Sequence, residues 1–235
     1  MAALLAWAYS GLPAFGSFAG RYGQALARMT VPERGATSSV AVTTFDFRGL
    51  DTLGEEFILF AAAVGVMVLL RAQRRGEQVA AEPAGAHRPT ARSRALRSVA
   101  TALVAPVLVL GASVVAHGHL TPGGGFQGGV ILMSAFVLVY AGGAHLRAER
   151  VRPLSAMELA EGLGAGGFAL IGIGGLALAG SFLENFLGPG QKGSLLSGGD
   201  VPLLNAAVGL EVMGALLVVL GELLDQRFLV RRGRR

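Results

Sequence analysis

Six stretches of this 235-residue sequence are apolar over nearly the length a helix needs to cross a bilayer, and no other feature narrows the possible folds as much. They run roughly over 2–19, 55–71, 98–117, 125–146, 157–181 and 202–224. A hydrocarbon core of about 30 Å is spanned by about 20 helical residues. The stretches are built from Leu, Val, Ala and Gly without strand-like alternation. Open strand edges cannot be satisfied in lipid, so the expected fold is an all-α integral membrane protein of about six spans. Composition agrees: 52% of residues are hydrophobic and 15% charged, with a mean hydropathy of +0.57. A soluble domain carries about 25% charge.

The net charge of +5 comes from arginines beside apolar runs, without the interleaved aromatics of a nucleic-acid binder. It reads as a topology signal. Arg71, Arg74, Arg75, Arg88, Arg92, Arg94, Arg97, Arg147, Arg150, Arg152, Arg227, Arg231, Arg232, Arg234 and Arg235 fall on one side of a six-span arrangement. Only Arg21, Arg28, Arg34, Arg48 and Lys192 fall on the other. The positive-inside rule then places both termini in the cytoplasm. The start lacks the basic n-region of a signal peptide, so residues 2–19 are expected to be a retained helix, although Pro13 and its glycines weaken that span.

Cysteine is absent, which excludes disulfides, thiolate zinc sites, iron–sulfur clusters and c-type haem within this chain. A b-type haem would need two histidines at one depth, whereas His117 and His145 are expected at opposite ends of their spans, roughly 30 Å apart. GLGAGG at 162–167 satisfies G-x-G-x-x-G with Glu184 some way beyond, but it lies in an apolar span rather than after a strand. Gly162 and Gly166 read there as helix packing. No cofactor or metal is expected.

Residues 76–97, rich in Ala, Pro and Arg, read as a cytoplasmic linker between a two-span unit (1–75) and a four-span unit (98–226), followed by a basic tail (227–235). The external segment 20–54 contains TSSVAVTTFDF, whose β-branched and aromatic residues suit an extended stretch.

Three features could carry chemistry. The first is HGHLTPGGGFQGG, 117–129, with His117, His119, Thr121, Pro122, Gly123, Gly124, Gly125, Phe126 and Gln127. The proline and three glycines make a tight external turn, and Gly124/Gly128 and Gly125/Gly129 form small-xxx-small pairs. It is either a packing hairpin or broken backbone lining a hydrated cation path. Phe126 and Gln127 could face a neighbouring subunit or a hydrated cavity. The second is FDFRGLDTLGEE, which sets Asp46, Asp51, Glu55 and Glu56 with Arg48 at the external mouth of the second span. Thr52 and Glu55 could form a capping box there, or the carboxylates could gather cations. The third is Glu211, about ten residues inside the last span, where a carboxylate costs about 2.5–3.5 kcal/mol unless protonated, paired or hydrated. Glu158, Glu161, Glu184 and Glu222 lie nearer span ends.

TPGGGFQGGVILMSAFVLVYAGG resembles the signature of the B-subunit family of multisubunit Na+/H+ antiporters (MnhB/MrpB), and the resemblance continues over roughly 98–226. LPAFGSF and FDFRGLDTLGEEFILFAAAVGVMVLL resemble the C-terminal domain of the large A-type antiporter protein, found as a small separate subunit in membrane-bound hydrogenases. The resemblance implies a component of a hetero-oligomeric prokaryotic cell-membrane complex exchanging Na+ for H+, without a cofactor. It implies that proton channels with lysine and glutamate lie in larger partner subunits, in agreement with the single Lys192. Partners would be those subunits, Na+, H+ and lipid, and no nucleic acid. Two other roles stay open: a membrane-arm subunit of an energy-converting hydrogenase or complex I-like pump, and a pure assembly scaffold. The resemblance assigns no role to individual carboxylates.

Overall fold

A computed structural model of the chain describes residues 2–12, 20–77, 94–142 and 154–232. Its helices are α1 (Ala2–Ser10), α2 (Arg21–Arg34), α3 (Ser39–Val42), a π-helical turn (Thr43–Phe47), α4 (Gly49–Glu77), α5 (Arg94–Ala116), α6 (Gly125–Ala141), α7 (Leu154–Leu178) and α8 (Val201–Arg232). No strand occurs among the described residues, and the fold is all-α.

Among the described residues, four helices are long and apolar enough to cross a membrane: Gly49–Leu70, Arg94–Ala116, Ala156–Leu178 and Val201–Leu223. At 17 residues, α6 is a shorter apolar helix, about 25 Å long. The predicted first span is helical over the nine residues of α1, while 13–19 lie outside the described residues. So do 143–146 of the predicted fourth span, His145, and residues 78–93 of the predicted linker 76–97.

The helices are organised around α8, which packs against α4, α5, α6 and α7. It is 56% buried over its span, against 11% for α4 and α5, so it is the central post. In the half nearer its N-terminus, Phe45, Phe168, Val201, Leu204, Val208 and Val212 form one core, with the Phe45 and Phe168 rings 6.3 Å apart. Further along, Met157 packs on Leu217 and Val218. Since Phe168 lies opposite Leu204 and Met157 opposite Leu217, α7 runs antiparallel to α8.

The expected extended stretch TSSVAVTTFDF is instead helical. Ser38 caps α3 by accepting from the Ala41 N–H at 3.3 Å. The Thr43 and Thr44 hydroxyls donate back one turn, to Ser39 O at 2.7 Å and Val40 O at 3.0 Å. These local bonds give β-branched residues a helical alternative that strand propensity does not weigh. The expected capping box at Thr52 and Glu55 is also absent. Helix α4 begins three residues earlier, at Gly49, and the Thr52 hydroxyl donates to Thr44 O at 2.6 Å, tying α4 to the π turn.

Candidate functional site: paired carboxyls between three helices

The two glycine-rich helix contacts that build the site have the same origin. On α7, Gly164 follows Glu161 by three residues; on α8, Gly214 follows Glu211 by three. A Cβ on Gly164 would lie 2.5 Å from the backbone N of Glu211, and one on Gly214 would lie 2.6 Å from that of Glu161. Each glycine thus admits the backbone of the opposing glutamate, so the antiparallel helices meet backbone to backbone. Gly162 and Gly166, expected to pack, have nothing within 4 Å of such a Cβ. Both glycines are exposed, and the intervening Gly164 takes the contact.

Glu211 and Glu56 are both fully buried, and Glu161 is 1% exposed. Glu56 of α4 meets Glu211 of α8 carboxyl to carboxyl, and Glu161 of α7 acts electrostatically on Glu211. Among the described residues no hydrogen-bond donor reaches either oxygen of Glu56 or Glu211, or Oε1 of Glu161. Two ionised carboxylates in contact there would be uncompensated in a low dielectric, so the pair needs a shared proton or an added cation.

The other residues of FDFRGLDTLGEE do not join it. Asp46 is ion-paired to Arg34, whose guanidinium also lies 5.5 Å over the Phe47 ring. Burial pushes the Asp46 carboxyl above its ordinary range, opposed by Arg34. Asp51 is exposed and paired with Arg48 three residues before it, Nε to Oδ2 2.6 Å; such surface pairs contribute little. Glu55 is exposed. The single external carboxylate cluster expected from sequence is therefore divided, because successive residues on α4 point to different faces.

The TPGGGFQGG run folds as a tight turn. Gly123 and Gly124 have φ of 144° and 142°, which favour glycine, and Gly125 opens α6. With no side chain at Gly124, the first α6 N–H is capped from α8: Asn205 Oδ1 accepts from Gly125 N at 2.9 Å. Asn205 Nδ2 donates to Val201 O at 3.0 Å. Gly125 and Gly129 face α8, where a Cβ would meet Asn205 O at 2.6 Å and Gly209 O at 2.8 Å respectively. Gly128 faces α5, with Gly111 O 2.9 Å from such a Cβ. Phe126, expected to be able to face a neighbour or cavity, packs on this chain's own Phe45–Phe168 core, because the tight turn directs it inward. Gln127, Thr121 and Pro122 are exposed. The Thr121 hydroxyl donates to His117 O at 3.2 Å.

His117 is half-buried, with Nδ1 2.9 Å from Ser113 O. His119 is fully buried beneath a layer of loops. Its carbonyl accepts from Thr37 N at 3.1 Å and Ser38 N at 3.0 Å, and its Nε2 lies 3.3 Å from Ser194 O. Asp200 braces the same layer by accepting from Phe186 N at 3.0 Å and Leu187 N at 3.2 Å.

Burial holds the His119 imidazole below its ordinary value of 6.5. The folded chain thus favours the neutral ring, and this contribution to stability is complete above 6.5 and lost as pH falls below it. Asp46 and Asp200, pushed up by burial, act in the opposite sense. The difference between wild type and His119→Gln isolates the ring: thermal unfolding in detergent should show wild type losing more stability on acidification than the variant. Parallel pH profiles would refute this assignment.

Sequence reasoning missed Asp200 and Asn205 and underrated Glu161 and Glu222, all buried. One signal was available: EGLG at 161–164 and EVMG at 211–214 share a carboxylate and a glycine on one helix face. Nothing local marked Asp200 or Asn205, whose partners are distant or in a loop.

Fold and site together define a polytopic, all-helical membrane protein with acidic side chains buried between its helices. The description "Domain related to MnhB subunit of Na+/H+ antiporter" matches residues 95–218, and MbhE, the E-type subunit of MBH, matches 2–87. The chain belongs to the MnhB-related family, with an MbhE-like segment before that domain. An uncharacterised protein of Methanocaldococcus jannaschii is 31% identical over 203 residues, 75% of this chain and 73% of that protein. A probable K+/H+ antiporter A/B protein of Rhizobium meliloti is 34% identical over 146 residues, 54% of this chain but 15% of that protein. Among solved structures, a chain of the membrane-bound sulfane sulfur reductase, an archaeal respiratory membrane complex, superposes with a TM-score of 0.76 at 30% identity, covering 94% of this chain and 92% of that one. A chain of the Mrp complex from Dietzia superposes at 0.72 with 23% identity, covering 94% and 24%, and shares the fold.

Proposed function

We propose that the chain is an accessory membrane subunit of a multisubunit monovalent cation/proton antiporter, helping to shape the ion path and to hold larger subunits together. The observation that carries this is the buried Glu56–Glu211 contact in a chain with an MnhB-related domain. It joins the MbhE-like segment to the MnhB-related one, at a depth where an acid calls for a functional reason. Sodium is the proposed cation, and Asp46, His119, Gln127 and the external turn are proposed to shape its entrance. The two-unit division at 76–97, from its Ala-, Pro- and Arg-rich composition, and the six-span arrangement with both termini cytoplasmic, from the arginine distribution, belong to the same proposal, as does the prokaryotic cell membrane that the resemblance implies. The chain alone is not expected to exchange ions or turn over a substrate, since its single lysine is in a loop.

A second reading is a membrane-arm subunit of a redox-driven complex. It is favoured by the near-complete mutual coverage with the sulfane sulfur reductase chain. Affinity purification of the tagged chain from its own membranes in mild detergent decides between them. Large antiporter subunits without iron–sulfur partners, and sodium-dependent proton flux after reconstitution, are expected. Iron–sulfur partners would favour the second reading, and a chain purifying alone would refute both. In the same preparation, cysteines introduced at Ala86 and, near Gly198, at the exposed Leu196 should label from opposite sides; labelling of both from one side would refute the six-span topology.

A further inference from the structure

The charged groups acting on the three buried glutamates are carboxyls alone among the described residues: Glu55 and Glu211 on Glu56, Glu56 and Glu161 on Glu211, and Glu158 on Glu161. No basic side chain neutralises them there. A hard cation is a poor solution, because such ions take about six or more oxygen ligands, and no group of three acidic, His or Cys residues is placed to hold a metal among the described residues. A proton satisfies the geometry with two oxygens. Each carboxyl becomes the other's partner through one O–H···O bond, in a pair none of whose four oxygens is reached by another donor.

We propose that Glu56 and Glu211 share a proton and, with Glu161, form a proton-loading station across the seam between the chain's two family-matched segments. Glu55, exposed beside Glu56, marks the outer approach. Hydronium there gives its proton to a Glu56 oxygen and leaves as water. As it binds, the proton the pair already shares settles on Glu211 and passes on to the Glu161 carboxylate, so the Glu56–Glu211 pair keeps one proton throughout. Glu161 lies close because Gly164 and Gly214 let α7 and α8 approach through their backbones. Glu222 is eleven residues beyond Glu211, three turns along and on the same face of α8, about 16 Å further. The acids therefore continue along the helix axis instead of ending at the pair. The proton's onward use rests on the antiporter reading above; the sharing itself does not.

The test uses the intact complex purified through this chain, as wild type and as Glu56→Gln, Glu211→Gln and Glu161→Gln, with Glu184→Gln as control. Infrared difference spectra over a pH titration report protonated carboxyls, and dye-monitored flux in liposomes reports proton movement. A protonated-carboxyl band at neutral pH should vanish in both Glu56→Gln and Glu211→Gln while remaining in Glu184→Gln. Proton flux should fall by about tenfold or more in the pair variants, with native gels showing intact complexes, and Glu161→Gln should keep the band but lose flux. A spectrum unchanged by either pair variant would overturn the proposal, as would undiminished flux in an assembled Glu211→Gln complex. Loss of the band on adding sodium at fixed pH would overturn it in favour of a cation site. If the wild-type complex moves protons only with a redox substrate, the antiporter reading fails, and the band then decides the shared proton alone.

Discussion

Gly125→Val and Gly129→Val chains are expected to melt well below wild type, each losing about 1–3 kcal/mol through overpacking. A Cβ at Gly125 would sit 2.6 Å from both Asn205 O and Val208 Cβ, and one at Gly129 would sit 2.8 Å from Gly209 O and Val212 Cβ. Backbone atoms of α8 cannot rotate away as a side-chain tip can, so α6 must move off the central helix. Removing a glycine from a helix interior returns only about 1 kcal/mol at most. The clash therefore outweighs the propensity gain. Both sites share one seam, so the double variant should lose less than the sum once α6 has shifted. Gly166→Val is the control, because nothing lies within 4 Å of its Cβ; it should match or exceed wild type. Thermal unfolding in detergent compares wild type with the four variants. Equal melting of Gly125→Val and Gly166→Val would refute the close α6–α8 seam.

The second large effect is expected from Asn205→Leu. Asn205 is fully buried and supplies, from α8, the cap that Gly124 lacks the side chain to make. Leucine has similar bulk but no acceptor, leaving the Gly125 N–H without a partner away from water, at a cost of about 1–3 kcal/mol. The loss should be local as well as global. Hydrogen exchange should speed up over the first turn of α6 more than over α5 or α7. Asn205→Asp keeps an oxygen for Gly125 and should retain most of that protection. Uniform exchange across all helices in the leucine variant would show that Asn205 does not cap α6.

These variants bear on what could be read without coordinates. The apolar stretches placed α4, α5, α7 and α8 to within a few residues at most ends, because lipid demands length and apolarity in one run. The 117–129 run was legible as a turn and packing face, since Thr121-Pro122 followed by three glycines has few backbone solutions. TSSVAVTTFDF was misread because propensity counts β-branching, whereas side-chain to backbone bonds at Ser38, Thr43 and Thr44 decide the segment. Gly162 and Gly166 were preferred to Gly164 because a four-residue spacing names a face without saying which face meets a neighbour.

By itself, the sequence determined that the chain is a bundle of apolar helices, that the turn before its fourth predicted span is built of glycine, and that Glu56 and Glu211 stand in or beside spans. Tertiary structure decided that those two acids, 155 positions apart in the numbering, touch. It also decided that Glu161 is buried beside them, while Glu55 stays exposed next to Glu56 and Asp46 and Asp51 pair with arginines. The reason is physical: hydropathy is a property of a segment and survives in one dimension. The partner of a buried carboxyl is set by how three helices cross, and here that crossing is fixed by glycines at Gly164 and Gly214, each admitting the backbone of the opposite glutamate.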